Sequence, residues 1–228
     1  MRVAEIYKSF QGEGVLTGTS SVFVRTSGCN LRCDFCDTPF TSWKPEGDDL
    51  SVDDIVTAVE RYETTHVVLT GGEPMLFAEL TPLSAALHAT DHHITIETAG
   101  TLYLNVVCDL MSISPKLSNS TPPVQRSTRW HARHERTRHA PDVIRQLVDE
   151  HAYQFKFVVS SAVDCDEIET YLDQFPTIER RHAWLMPEGT DQRRLEAIAA
   201  WLEPECNRRG LNFCPRRQIE WYGFQRGT

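Results

Sequence analysis

The run Cys29-Asn-Leu-Arg-Cys33-Asp-Phe-Cys36-Asp37-Thr38 places three cysteines within eight positions, spaced C-x3-C-x2-C. Thiolates are soft ligands, suited to zinc, copper(I) or iron–sulfur clusters. A tight loop of this kind can ligate three irons of a cubic 4Fe–4S cluster and leave the fourth open to a small chelating ligand. No fourth Cys or His lies nearby, and the next histidine is His66. A structural zinc site is normally closed by four protein ligands, so three is the wrong count for it. The spacing alone leaves two plainer readings open. The cysteines are core residues, or they form a zinc site closed from afar by His66 or Cys108.

Working outward, Ser20 to Thr26 is strand-like and ends at Ser27-Gly28, directly before Cys29. The cysteine loop therefore hangs from the C-terminal end of a strand, the end at which ligands bind in parallel sheets and barrels. Downstream, the apolar run His66-Val-Val-Leu leads into Thr70-Gly71-Gly72-Glu73-Pro74. Paired glycines at a strand end allow close approach of a ligand to the backbone, and Glu73 offers an acceptor for an ammonium group.

The remainder alternates in period. Ser51 caps a helix reaching about Glu63, with acidic residues in its first turn. A second helix spans Ala78 to Ala89, a third Asp166 to Phe175, and a long one Gln192 to about Arg209, which Pro204 is expected to kink or interrupt. Six core strands begin near Ser20, Val67, Ile94, Val106, Gln154 and Ala183. A short extended piece covers Val3 to Tyr7 and another Gln218 to Tyr222. Alternating βα units require a parallel sheet, and six are too few to close an eight-stranded barrel. The expected fold is α/β, an open partial (βα)6 barrel, with residues 1–228 forming one domain.

The chain has 228 residues, 40% hydrophobic and 24% charged, enough for one substantial core. A net charge of −9 argues against a general nucleic-acid binder. No stretch is apolar enough to span a membrane, and the N-terminus lacks the apolar core of a signal peptide. Seven cysteines, three in one loop, are not a disulfide framework. These features point to the cytoplasm. The charge is uneven: Arg126 to His139 holds five arginines and three histidines against Glu135 alone. That segment reads as a solvated helix or loop, or as a docking patch for an acidic electron donor such as a flavodoxin.

The cysteine triad followed by Gly71-Gly72-Glu73-Pro74 resembles the radical S-adenosylmethionine (SAM) superfamily. Within it the chain is similar to the 7-carboxy-7-deazaguanine synthases of queuosine and deazapurine biosynthesis. Four places carry that likeness: Phe10-Gln11-Gly12-Glu13-Gly14, Arg25, Cys36-Asp37-Thr38 and Ser114-Pro115-Lys116. The resemblance implies a 4Fe–4S cluster on Cys29, Cys33 and Cys36, with SAM on the open iron. It implies that a radical derived from SAM takes a hydrogen from C6 of 6-carboxy-5,6,7,8-tetrahydropterin. Magnesium-assisted ring contraction then yields 7-carboxy-7-deazaguanine and ammonia, with SAM regenerated. It assigns cofactor contacts to Phe35, Asp37, Gly71, Gly72, Glu73, Glu97, Ser114, Pro115, Lys116, Met186 and Pro187. Substrate contacts fall to Phe10, Gln11, Gly12, Glu13, Arg25 and Thr70, and a Mg2+ contact to Thr38. It also implies a homodimer.

Three rivals stand beside this reading, one of them a non-catalytic regulatory relative, against which the complete cysteine triad argues. A glycyl-radical-enzyme activase shares the cysteine spacing and length but lacks the Gln-Gly-Glu-Gly segment and the Ser-Pro-Lys, and it would act on a large protein partner. A non-catalytic metal or electron-transfer module leaves the Gly-Gly-Glu-Pro segment without a purpose.

Overall fold

Strand and helix segments alternate as the periodicity predicts, and in the computed structural model, which describes residues 1–228, they build on one nine-stranded sheet. In chain order the strands are β1 (Arg2–Phe10), β2 (Ser20–Thr26), β3 (Asp48–Asp49), β4 (His66–Gly71), β5 (His93–Thr98), β6 (Leu110–Ile113), β7 (Tyr153–Val159), β8 (Ala183–Pro187) and β9 (Asn212–Phe213). The helices are α1 (Val52–Val59), α2 (Leu80–Ala89), α3 (Thr128–Thr137), α4 (Pro141–Glu150), α5 (Ala162–Asp173), α6 (Gln192–Arg209) and α7 (Arg217–Tyr222). The spatial order is β3-β1-β2-β4-β5-β6-β7-β8-β9. From β2 to β9 all neighbours run parallel. β1 is antiparallel to both β2 and β3.

The six predicted strands are the parallel core, in sequence order and unclosed, as expected of a partial barrel. The connection from β5 to β6 carries no helix, whereas that from β6 to β7 carries two, α3 and α4.

Alternation along β7 shows how the sheet divides its two faces. Phe155, Phe157 and Val159 are fully buried in the core. Phe157 meets Tyr171 of α5 edge-on at 5.4 Å between ring centres. Lys156 and Val158 face the other way, into a cavity. On β2, Val22 and Val24 join the core while Phe23 and Arg25 line that cavity. Parallel strands covered on both faces carry few surface positions, so a lysine here must be paired.

Several boundaries depart from expectation. The strand expected from Val106 begins only at Leu110, and α1 ends at Val59 rather than Glu63. Pro204 does not interrupt α6, which runs unbroken from Gln192 to Arg209. Leu202 and Cys206 are buried on either side of the exposed proline, and that packing offsets the lost backbone bond, a penalty of about 3 kcal/mol. Gln218 to Tyr222 is helical, not extended. Ile219 is buried, and Gly223, at φ +72°, closes the last turn through its N–H to the Ile219 carbonyl at 2.9 Å.

Candidate active site

A cavity of 510 Å³ opens over the C-terminal ends of the parallel strands. Side chains from β1, β2, β4, β5, β6, β7 and β8 reach it, which requires the sheet to curve around it. Every site residue predicted from the sequence lines this cavity except Glu73 and Pro115.

The cysteine loop forms one wall. The Leu31 N–H donates to Cys29 Sγ at 3.4 Å, and Cys36 Sγ is hydrogen-bonded to Ser42 Oγ at 3.1 Å. Such bonds to sulfur suit thiolates that carry a cluster. Burial pushes both the Cys29 and the Cys33 thiols up to about 12, so they stay protonated until a cation stabilises the thiolate. No three His, Cys, Asp or Glu side chains gather around a point where one metal ion could sit. A cubane asks for a different arrangement, one thiolate per iron at separate corners, and the loop's donor set fits it. Closure of a zinc site from afar is excluded by position. His66 opens β4 and stacks on His93 at 4.8 Å, and Cys108 Sγ donates to the Ile94 carbonyl at 3.7 Å. Both sit at the opposite end of the strands from the loop.

Gly71 and Gly72 line the cavity, but what demands glycine there is protein rather than ligand. Gly71 has φ +137°, and a Cβ on it would strike Thr26; one on Gly72 would strike the Gly28 carbonyl. The Glu73 N–H donates to that same Gly28 oxygen at 2.9 Å. The glycines thus stitch the end of β4 to the start of the cysteine loop.

Glu73 is not brought to the cavity. Its side chain is fully buried, and its carboxylate accepts from Met75 N (3.1 Å), Thr98 Oγ1 (2.8 Å) and Ala99 N (2.9 Å). Burial raises its pKa despite those bonds. The carboxylate organises the backbone after β5. Lys116 does reach the cavity, its Nζ donating to the Ser114 carbonyl and hydroxyl, each at 2.7 Å.

The cavity floor is a charged network that the sequence reading caught only in part. Lys156 Nζ sits 2.8 Å from Glu97 Oε1 and 3.0 Å from Glu13 Oε2. Thr70 Oγ1 donates to Glu97 Oε2 at 2.9 Å, and Gln11 Nε2 to Glu97 Oε1 at 3.5 Å. Glu97, expected beside SAM, is therefore tied to the residues expected beside substrate. Arg216 joins Glu13 (3.2 Å), the Gly189 carbonyl (2.7 Å) and the Asp37 carboxylate. Gln218 donates to Glu13 at 2.7 Å. Arg25 Nε pairs with Glu5 at 2.7 Å, and its Nη2 donates to Tyr7 Oη at 2.7 Å. The Thr38 hydroxyl lines the cavity 3.3 Å from Thr41 Oγ1.

Lys156, Arg216 and Gln218 line the cavity without being among the expected site residues, and residues 223–228 join them there. Lys156 carried a readable signal, a lysine on the alternating face of a doubly covered strand. The C-terminal residues carry a family-like Gly-x-x-Arg-Gly over Gly223 to Gly227, but it gives no role to Thr228, which the fold returns to the site.

Residues 23–150 match the Radical SAM superfamily. The chain is 45% identical over 227 residues to the 7-carboxy-7-deazaguanine synthase of Rhodopirellula baltica, covering 99% of this chain and 88% of that one. It is 42% identical to that of Halobacterium salinarum, covering 95% and 88%. Among solved structures, QueE from Escherichia coli superposes with a TM-score of 0.69 at 22% identity, over 94% of this chain and 92% of that one. That likeness is one of fold.

Proposed function

We propose, from the premise that the chain belongs to the 7-carboxy-7-deazaguanine synthase family of the radical SAM superfamily, that it converts 6-carboxy-5,6,7,8-tetrahydropterin to 7-carboxy-7-deazaguanine and ammonia. One observation carries this reading. Three thiols, the β4 glycines and the floor around Lys156 all face a single cavity. That cavity is lined from Glu5 to Thr228, which supports reading residues 1–228 as one radical SAM domain.

Cys29, Cys33 and Cys36 would hold the 4Fe–4S cluster as thiolates, and Phe35 would shield it from water. When bound, the cluster and SAM supply the one-electron reduction that starts hydrogen abstraction. The backbone of Gly71 and Gly72, with Ser114 and Lys116, receives the methionine and ribose end of SAM. Met186 and Pro187 flank its adenine. Gln11 and Thr70 hydrogen-bond the pterin edge, with Phe10, Gly12 and Glu13 beside them, and Arg25 pairs with its carboxylate. Thr38 offers Mg2+ one hard oxygen, the rest coming from substrate and water. Asp37, gripped by Arg216, fixes the direction of the loop at Thr38.

The finer partners belong to the same proposal. An acidic electron carrier would dock on the arginines of α3. Exchanging Arg129, Arg133 and Arg136 for glutamate should slow flavodoxin-driven turnover and spare dithionite-driven turnover. All seven cysteines are free, which suits a reducing, cytoplasmic compartment. No helix is long and apolar enough to cross a membrane. A homodimer is expected by light scattering.

The deciding assay is anaerobic. The protein is reconstituted with iron and sulfide, supplied with SAM, dithionite, magnesium and the pterin, and its product read by mass spectrometry. Product in excess of SAM consumed supports the reaction and the catalytic use of SAM. SAM cleavage without product discards the substrate.

A further inference from the structure

The basic segment from Arg126 to His139 is not simply a solvated face. Helix α3 lies against the cysteine loop and holds it. Arg126 Nη1 donates to the Asp34 carbonyl at 3.0 Å and to its carboxylate at 2.7 Å. The same guanidinium lies 3.9 Å over Trp43, whose Nε1 donates to the Cys33 carbonyl at 3.0 Å. The Arg32 guanidinium lies 4.1 Å over Trp130.

His134 is the buried member of this clamp, with no exposed area. The Arg32 N–H donates to His134 Nδ1 at 3.2 Å, so Nδ1 carries no proton. The ring proton is then on Nε2 and goes to Ser120 Oγ at 2.9 Å. The Ser120 hydroxyl in turn donates to the Leu117 carbonyl at 2.6 Å. The Ser120 carbonyl receives the Asp34 N–H at 2.9 Å. Arg32, His134, Ser120 and Asp34 thus form a closed ring of hydrogen bonds around one residue, Cys33.

We infer that His134 is a positioning residue for the iron–sulfur cluster, fixing through the amides of Arg32 and Asp34 where the Cys33 thiolate meets its iron. The inference rests on the radical SAM reading of the cysteine loop. A neutral ring locked in one tautomer is what the task requires. It accepts from a backbone amide on one side and donates on the other, which an apolar side chain cannot do. Groups that orient a metal ligand from behind shift metal affinity by roughly ten- to a hundredfold when removed.

The test compares the full chain with His134→Ala and His134→Asn after anaerobic reconstitution. In the asparagine variant the amide oxygen takes the place of Nδ1 and restores the acceptor for Arg32. Iron and sulfide per chain, the EPR spectrum of the reduced cluster and its bleaching in air are measured. His134→Ala should bleach roughly tenfold faster and broaden the EPR signal, while His134→Asn returns both toward the parent. An alanine variant that matches the parent in iron content, EPR and bleaching overturns the inference. Should His134→Ala lose its circular dichroism, Ser120→Ala decides, since it frees the ring without removing it. It should also speed bleaching, and a parent-like result overturns the inference. A parent chain that takes up no cluster overturns the radical SAM reading itself, a separate outcome.

Discussion

Lys156 Nζ and Glu97 Oε1 stand 2.8 Å apart on β7 and β5, on either side of β6, and the lysine side chain is only 4% exposed. Glu13, from the turn after β1, takes the same ammonium at 3.0 Å. One cation thus pins two strands and the N-terminal segment beneath the cavity, and the sheet's curvature and the site's polarity share a support.

Lys156→Met tests that support. It leaves Glu97, whose side chain is 23% exposed, with only Thr70 and Gln11, and stripping one partner from an ion pair costs up to about 3–5 kcal/mol when both members are buried. Urea unfolding at neutral pH should show a loss of that order, accompanied by loss of turnover. A change under about 1 kcal/mol would show that the pair contributes little net stability.

Glu13 predicts a pH dependence. Burial alone would raise its pKa, but Lys156 and Arg216 hold the carboxyl well below the usual carboxylate range. The folded value lies below the unfolded one, so its contribution to stability is complete above the unfolded value near 4.5 and fades as pH falls toward the folded value. The stability gap between the parent and Glu13→Gln should therefore be full at pH 7 and shrink below about pH 4.5. A gap that stays constant into acid would mean that the charge of Glu13 is not what stabilises.

How far the sequence reached follows from where each signal lives. The cysteine loop and the Gly-Gly segment are local, and each sits at the end of a strand whose alternation is visible, so the strand order and the cavity wall could be read. For Glu73 and the glycines the local sequence shows only part of what the fold asks of them. Glycine at a strand end reads as room for a ligand, yet the missing Cβ atoms make room for Thr26 and Gly28. Arg216 and His134 act across 203 and 102 residues of chain, respectively. Nothing in their own neighbourhoods announces a partner so distant.

Gly71→Ala follows from the same geometry. At φ +137° with its Cβ driven against Thr26, the alanine carries backbone strain of about 1–3 kcal/mol in addition to the clash. Gly210→Ala is the control, also at positive φ (+66°) but with nothing within 4 Å. The melting temperature should fall further for Gly71→Ala, and only that variant should lose iron on reconstitution. Equal falls would mean that conformation alone, not packing against the loop, sets the requirement.

Thr38→Ala isolates the magnesium proposal. The hydroxyl lies on the cavity 3.3 Å from Thr41 Oγ1 and 3.9 Å from Cys36 Sγ, so iron content is measured beside turnover. Turnover by the variant should lose its response to added magnesium, while SAM binding by equilibrium dialysis is unchanged. An intact magnesium response would remove Thr38 from the site.

Arg226 links the end of the chain to the substrate side. Its guanidinium lies 3.8 Å over Phe40 and pairs with Glu46 at 3.2 Å and with Glu5 at 3.5 Å. Glu5 is also the partner of Arg25 at 2.7 Å, so two arginines share one carboxylate on the cavity rim. The Arg226 pairs are half exposed, and such contacts contribute about 0–1 kcal/mol. Arg226→Ala should hardly alter global stability. It should release residues 223–228 from the rim and leave Glu5 wholly to Arg25, which weakens that arginine's hold on an incoming carboxylate. The expected outcome is a several-fold rise in KM for the pterin with kcat nearly unchanged, the mark of lost binding common to ground and transition states. An unchanged KM would mean that the C-terminal residues line the cavity without contributing to it. A fall in kcat alone would place Arg226 with the chemistry rather than with binding.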